Sequence, residues 1–333
     1  MKVRFFDPGK SYLAIKDEID SEVQRVLAVG DLILREDVEK FEENLARFVG
    51  TTYAIAVNSG TDALVLALKA LATKGDIQTV QVPAYTFKAT CGAVITAGFK
   101  PVIYDLDEEP ARIVPYGKNG LCPIIVAHIS GMLSPIPSYG EIIEDAAQAL
   151  GAVKNPKTFA QCWSFYPAKI LGAYGDAGAI TTNDEKIADY IQEARNHFKK
   201  DNRDFGGNYR MDNLQATILN IKFKYLPQYL SRRAEIAEMY KALKGVTLPN
   251  YQEGRVWQDY IVRTQYRDGL FEFLKKNEIE TIKNEYPWPL KYSKPSLTKQ
   301  YEAETLRLPC NPDLINGEID FVIEKVNEFY AGK

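Results

Sequence analysis

The segment Ser164-Phe-Tyr-Pro-Ala-Lys169-Ile-Leu-Gly-Ala-Tyr-Gly-Asp-Ala-Gly178 places a lysine just past an apolar, aromatic run and ahead of a glycine-rich turn. Upstream, Glu141-Ile-Ile-Glu-Asp145-Ala-Ala-Gln148 ends another apolar run in a carboxylate. A lysine that forms a Schiff base and a carboxylate that holds a pyridinium nitrogen are the two protein groups pyridoxal phosphate chemistry needs most. Such a lysine must lose its proton, which desolvation or nearby positive charge favours. Each residue also has an ordinary explanation. Lys169 reads equally as a surface lysine on a loop, and Asp145 as a cap for a helix over 146–150.

A third group completes the set. Asn58-Ser59-Gly60-Thr61-Asp62 joins an expected strand to an expected helix. Backbone N–H groups at a helix start, with hydroxyls beside them, bind phosphate well. Simple capping by Ser59 or Thr61 is the competing reading. Other phosphate and dinucleotide signatures fail. There is no GxxxxGK followed by Ser or Thr, and the glycines at 172, 175 and 178 do not make GxGxxG. Tyr166-x-x-Lys169 is one residue too short for the Tyr/Lys pair of short-chain dehydrogenases. In Pro83-Ala-Tyr85-Thr-Phe87 an aromatic side chain could stack on a planar ring or simply pack in the core.

The elements that must position these residues follow from periodicity. Between about 52 and 182, apolar runs alternate with helical patterns, which predicts an α/β fold with a parallel sheet. Strands are expected at 53–58, 79–83, 101–105, 123–128, 141–145, 161–166 and 177–182. Helices are expected at 61–72, 87–97 and 184–196. Two amphipathic helices, 13–27 and 37–48, precede the sheet. Residues 212–243 read as one long helix or as two interrupted at Pro227. A strand at 256–264 and helices at 269–276 and 317–330 follow. The expected organisation is a large cofactor-binding domain over 1–225, including the N-terminal helices, and a smaller α/β domain over 226–333. One connection is awkward. Only twelve residues, two of them proline, separate His128 from Glu141. A parallel crossover usually needs a helix, so the link is an extended loop or one strand is misassigned.

Composition excludes several classes. The chain has 333 residues, 46% hydrophobic and 26% charged, with net charge −3. Nucleic-acid binders usually carry a basic footprint, so that class is disfavoured. No apolar run approaches a membrane span, and the N-terminus lacks a secretory apolar core. The expectation is no membrane partner and a cytoplasmic setting. Cys91, Cys122, Cys162 and Cys310 are far apart, and the only histidines are His128 and His197, so no zinc spacing can be drawn and no metal is expected.

The motifs match a known pattern. Asn58-Ser-Gly-Thr-Asp-Ala-Leu, Pro83-Ala-Tyr-Thr-Phe-Lys-Ala-Thr, Glu144-Asp-Ala-Ala-Gln-Ala, Ser164-Phe-Tyr-Pro-Ala-Lys, Gly175-Asp-Ala-Gly-Ala-Ile-Thr-Thr-Asn-Asp and Gly206-Gly-Asn-Tyr-Arg-Met-Asp-Asn-Leu-Gln-Ala occur in this order. Together they resemble the DegT/StrS family of nucleotide-sugar aminotransferases, across nearly the whole chain. The resemblance implies the fold type I aminotransferase architecture and a homodimer with shared active sites. It implies Lys169 as the Schiff-base lysine and Asp145 as the pyridinium partner. Gln148 would lie near the ring's phenolic oxygen. Gly60, Thr61 and Ser164 would hold the phosphate of pyridoxal 5'-phosphate, and Phe87 would stack on the ring. Asn208 would reach the phosphate from the partner subunit, Arg210 would hold a substrate carboxylate, and Tyr286 would contact substrate. The implied reaction moves an amino group from L-glutamate to a nucleotide-linked keto sugar, with the block at 172–178 most like members making 3-amino sugars. A branch that dehydrates sugars lacks the lysine, so Lys169 favours transamination over a dehydratase. A non-catalytic, regulatory cofactor-binding protein is the rival from another class. The chain departs from the family in two shortened stretches, 107–128 and 128–141, and in Glu285 where a histidine is common.

Overall fold

The computed structural model describes residues 1–105, 122–200, 204, 206–283 and 296–332. Among them, seven strands form one sheet in the order β1-β7-β6-β5-β4-β2-β3. These are β1 (Tyr53–Val57), β2 (Thr79–Pro83), β3 (Lys100–Tyr104), β4 (Ile124–Ala127), β5 (Ile142–Asp145), β6 (Ala160–Ser164) and β7 (Gly178–Thr182). All seven expected strands are present. The sheet is mainly parallel, but β7 runs antiparallel to both neighbours, β1 and β6. The expected α/β architecture with a mainly parallel sheet is therefore present, and β7 is its one antiparallel strand among the described residues. The link between β6 and β7, residues 165–177, is broken by Pro167, Gly172 and Gly175 and forms an antiparallel return without a helix. That return carries Lys169.

Apolar side chains cover both faces. On one, α4 (Gly60–Ala72), α5 (Lys88–Thr96) and α6 (Glu185–Ala194) pack on Ile55, Val80, Val82, Ile125, Ile143 and Ile180. On the other, α3 (Glu36–Val49) and α7 (Asn213–Lys224) pack on Ala54, Ala56, Trp163 and Ala179. The expected N-terminal helix divides at Ile15 into α1 (Pro8–Ala14) and α2 (Lys16–Val29). The 212–243 stretch resolves into two helices, α7 and α8 (Leu226–Met239), joined at Tyr225. Pro227 sits in the first turn of α8, where its missing N–H costs nothing.

The C-terminal part pairs β8 (Tyr260–Arg263), β9 (Ile282–Lys283) and β10 (Thr305–Leu308) in a small antiparallel sheet. Helices α8, α9 (Arg267–Lys276) and α11 (Asn316–Ala331) cover it, and α10 (Ser296–Glu304) leads into β10. Val3 joins the same core and its backbone bridges Ile279. The expected strand at 256–264 is shorter than its apolar pattern, because residues 256–259 leave the ladder and bond instead to Gly131, Ser130 and the link between β6 and β7. No helix among the described residues is long and apolar enough to cross a membrane. The four cysteines are free, with Cys91, Cys162 and Cys310 buried.

The awkward link between β4 and β5 is real, and both strands pair as expected. The crossover is a short 3-10 turn at Ile129–Gly131 followed by extended chain. It runs along the sheet in the opposite direction to the α5 crossover. Right-handed connections therefore put it on the opposite face, where Ile129 packs on Ile124, Val126 and Ile142. In place of a helix, that face carries polar side chains that satisfy one another. Trp163 Nε1 donates to Thr181, which donates to Gln161; Gln161 donates to Thr158, which donates to Glu144. His128 Nε2 faces Glu144 at 2.8 Å, and its Nδ1 accepts from Ser134 N–H at 3.1 Å. That acceptor role puts the ring proton on Nε2, toward the carboxylate. A cavity of about 550 Å³, lined in part by Ile136, Tyr139 and Phe159, lies beside this network.

Gly131 links the crossover to the C-terminal part. Its φ is +78°, and a Cβ there would lie 1.9 Å from Val256 O. Val256 N–H donates to Gly131 O at 3.1 Å. Gly131→Ala should therefore destabilise the protein by at least about 2 kcal/mol, from backbone strain and the clash together. Thermal melting checks this; an unchanged midpoint would contradict the contact.

Candidate active site

Three strand ends converge. Asp145 ends β5, Ser164 ends β6, and Ser59-Gly60 follows β1. Ligands in open α/β sheets sit at the carboxyl ends of strands.

The Asp145 carboxylate is 8% exposed. Its Oδ2 accepts from Thr90 Oγ1 at 2.7 Å, and its Oδ1 from Ala147 N–H at 3.3 Å. Thr90 Oγ1 lies 2.8 Å from Thr86 Oγ1. Thr86 and Thr90 are thus neighbours of the carboxylate that the sequence reading missed. Their spacing, one helical turn across the start of α5, was the available clue. Ala147 N–H does bond Asp145, but residues 146–150 form a turn, so the expected helix for Asp145 to cap is absent.

Lys169 is half-buried. Burial lowers the pKa of its amine below the ordinary 10.5. The nearby Asp145 and Asp259 oppose this, and Arg307 reinforces it. Asp145 and Lys169 therefore lie within electrostatic reach of each other. Depression of the pKa favours the neutral amine, the nucleophilic form.

The Gly60 turn is a tight cradle. Ser59 caps α4, its Oγ accepting from Asp62 N–H at 3.0 Å. A Cβ on Gly60 would lie 2.6 Å from Ser164 Cβ, and one on Gly178 would lie 2.3 Å from Ser59 C. Glycine at both positions lets β1, β6 and β7 close on one point. The N–H groups of Gly60 and Thr61 lie in the first turn of α4, which has no intrahelical acceptors. Thr61 is exposed and Ser164 half-buried. Capping and anion binding are thus compatible, because they use different N–H groups.

Gln148 is 9% exposed, and its Oε1 accepts from Ser130 N–H at 2.6 Å. That bond leaves the amide N–H₂ as its donor side. Phe87 is the N-cap residue of α5 and is 51% exposed. Arg210 bridges Val57 at the end of β1, and its Nη1 donates to Asn196 Oδ1 at 3.0 Å. Arg210 Nε and Asn58 Oδ1 are buried polar atoms without a hydrogen-bond partner among the described residues. Asn208 is exposed, and its backbone bridges Asn196. Tyr286, with Glu285, lies outside the described residues, as does most of the 107–128 stretch.

Sequence reasoning missed Gln258 and Asp259. Gln258 bonds the backbone on both sides of Lys169. Asp259 pairs with Arg307 at 2.7 Å and lies 3.5 Å from Ser130 Oγ. They come from the C-terminal part, and nothing local marks them.

The residues present suit pyridoxal phosphate. The glycine cradle would take the phosphate, Asp145 the ring nitrogen, and Lys169 the aldehyde carbon. The orphaned Asn58 Oδ1 and Arg210 Nε stand beside the cradle as polar atoms awaiting a partner.

Comparison with known proteins supports this. The model of the DegT/DnrJ/EryC1/StrS aminotransferase family matches residues 13–327. A "pleiotropic regulatory protein" of Geobacillus stearothermophilus is 34% identical, with 99% of each chain covered. That alignment runs over 370 positions against 333 residues here, so the relative has positions without counterpart in this chain. A dTDP-3-amino-3,4,6-trideoxy-alpha-D-glucose transaminase of Micromonospora megalomicea subsp. nigra is 32% identical, covering 93% of this chain and 94% of its own. The solved structure of DesV from S. venezuelae superposes with a TM-score of 0.90 at 30% identity, covering 100% of this chain and 99% of that one.

The depressed Lys169 pKa has a stability consequence in the cofactor-free protein. Between its folded pKa and 10.5, the unfolded chain holds more protons at this site, so stability rises with pH across that window. Below the window the cost of burying the ammonium is complete. Lys169→Met should remove that cost. The variant should be the more stable protein at neutral pH, with the difference narrowing as pH rises toward 10.5. Urea unfolding of both proteins at stepped pH measures this, and a constant difference would refute it.

Proposed function

This chain belongs to the DegT/DnrJ/EryC1/StrS aminotransferase family, whose enzymes use pyridoxal phosphate, and we propose that it moves an amino group from L-glutamate to a nucleotide-linked keto sugar. The observation that carries this reading is the meeting of Lys169, Asp145 and the Gly60 turn at one end of the sheet. The names of several relatives supply the substrate class. One is the dTDP-sugar transaminase already described, and another, from Pseudomonas aeruginosa, is a UDP-2-acetamido-2-deoxy-3-oxo-D-glucuronate aminotransferase.

In this reading Lys169 acts twice. Its neutral amine holds the cofactor, then serves as the free base that moves a proton. When bound, pyridoxal phosphate supplies a conjugated ring that takes up electrons as a C–H bond breaks. Asp145 keeps a negative charge opposite the ring nitrogen, and Thr90 keeps that carboxylate in place. Gly60, Thr61 and Ser164 hold the phosphate at the α4 N-terminus. Gln148 donates to the phenolic oxygen, because Ser130 occupies its acceptor side. Phe87 stacks on the ring. Asn208, exposed on one subunit, reaches the partner's phosphate in a homodimer, and Arg210 and Tyr286 contact substrate. The enzyme works in the cytoplasm, in keeping with four unpaired cysteines.

Lys169 separates this reading from sugar dehydration, which proceeds without the lysine. A purely regulatory role is suggested by the name of the Geobacillus relative; it leaves the Lys169 and Asp145 arrangement unused.

Purified protein should show the visible absorbance of lysine-linked pyridoxal phosphate, and Lys169→Ala should lose it. An unchanged spectrum would sink the assignment. Asp145→Ala should stay folded but lose turnover by at least about two orders of magnitude, as expected for removing a buried charge aimed at the reacting system. A glutamate-dependent screen over keto sugar nucleotides with mass detection distinguishes amination from loss of water. No conversion of any sugar, despite a bound cofactor, would favour the regulatory role.

A further inference from the structure

Lys169 sits outside regular structure, in the return between β6 and β7. Locally its N–H donates to Tyr166 O at 2.8 Å. The rest of its backbone support comes from far along the chain. Gln258 Oε1 accepts from Ile170 N–H at 3.0 Å, and Gln258 Nε2 donates to Ala168 O at 2.8 Å. The Ala168 carbonyl and the Ile170 N–H belong to the two peptide groups that flank the Lys169 Cα. A single side-chain amide therefore spans the lysine as a neighbouring strand would, and restrains both backbone dihedrals at that residue.

Gln258 is itself held. It is 7% exposed. Arg233 of α8 donates through Nη1 to the carbonyls of Trp257 and Gln258, both at 3.0 Å, and of Cys310 at 2.7 Å. The next residue, Asp259, is locked by Arg307. The amide is thus presented from a rigid part of the C-terminal core.

We propose that Gln258 is a positioning residue for the reaction, aiming the Lys169 amine by clamping the backbone on both sides of it. The inference rests on Lys169 being the cofactor-linked lysine. That lysine must reach one atom when bound and another when it moves a proton, both by side-chain rotation about a fixed Cα. A loose backbone would spoil the second geometry while leaving the phosphate cradle and substrate contacts elsewhere intact. It would also let water reach the amine.

Gln258→Met removes both hydrogen bonds at similar length. Gln258→Glu keeps an acceptor for Ile170 N–H and loses the donor to Ala168 O. Three measurements decide: melting temperature, steady-state kinetics, and the pH profile of Lys169 labelling by an acylating reagent in cofactor-free protein, read by mass spectrometry. Gln258→Met should melt within a few degrees of wild type. Its kcat should fall by about tenfold to a hundredfold with KM within about twofold, the size expected for misaligned reacting groups. Its Lys169 labelling profile should move up in pH by roughly half a unit or more, because relieved burial lets the amine return toward its ordinary value. Gln258→Glu should fall between. Unchanged kcat and labelling would overturn the proposal. So would a joint loss of melting temperature and activity with an unmoved labelling profile, since that is a purely structural clamp. Should Gln258→Met not fold, Gln258→Glu decides on the same readouts. Failure of the underlying reading looks different: Lys169→Ala would then keep the visible absorbance.

Discussion

An amine that must be neutral to react has to be taken out of water, and the fold is organised around that constraint. Lys169 lies in an antiparallel return at the edge of the parallel layer, where two sheet strands and a C-terminal segment close around it. Burial favours the free base, while Asp145 and Asp259 favour the ammonium. In the proposed function the Asp145 carboxylate cannot be dispensed with, because it is the group assigned to the ring nitrogen. The compromise is a lysine whose pKa is lowered by burial against two opposing charges, with Arg307 offsetting one of them. Such a balance depends on distances, so the backbone carrying the lysine must be still.

Stillness has an unusual source here. The β4–β5 crossover lacks the helix a parallel connection normally uses, and that face of the sheet carries buried polar side chains instead. The chain from Trp163 through Thr181, Gln161, Thr158 and Glu144 to His128 leaves its members hydrogen-bonded to one another. Satisfied networks of this kind specify one arrangement, because any slip leaves a buried polar group unpaired. The crossover also packs Gly131 against Val256, two residues before Gln258.

Much of this was legible beforehand. The strands at β1 to β7 follow from near-continuous apolar runs, and the glycines at 60 and 178 sit where three strand ends meet. Asp145, Lys169 and the Gly60 turn stood out because each lies at or just past the end of a strand whose apolar run is visible in the sequence. The awkward twelve residues after His128 were recognisable for the same reason. The direction of β7 was not. Gln258 and Asp259 were illegible as site residues, because a Gln-Asp pair in an apolar stretch has no local peculiarity. Thr90 left only its spacing from Thr86 as a clue.

The sequence by itself determined which residues can do chemistry and in what order the elements carrying them occur, since both depend on side-chain type and on periodicities of a few residues. Only the tertiary structure decided what surrounds them. The Thr90 hydroxyl on Asp145, the antiparallel sense of β7 and the Gln258 amide astride Lys169 are contacts between positions from 14 to 129 residues apart. Their existence depends on strand pairing and core packing, which are settled by the whole chain competing for burial rather than by any segment of it.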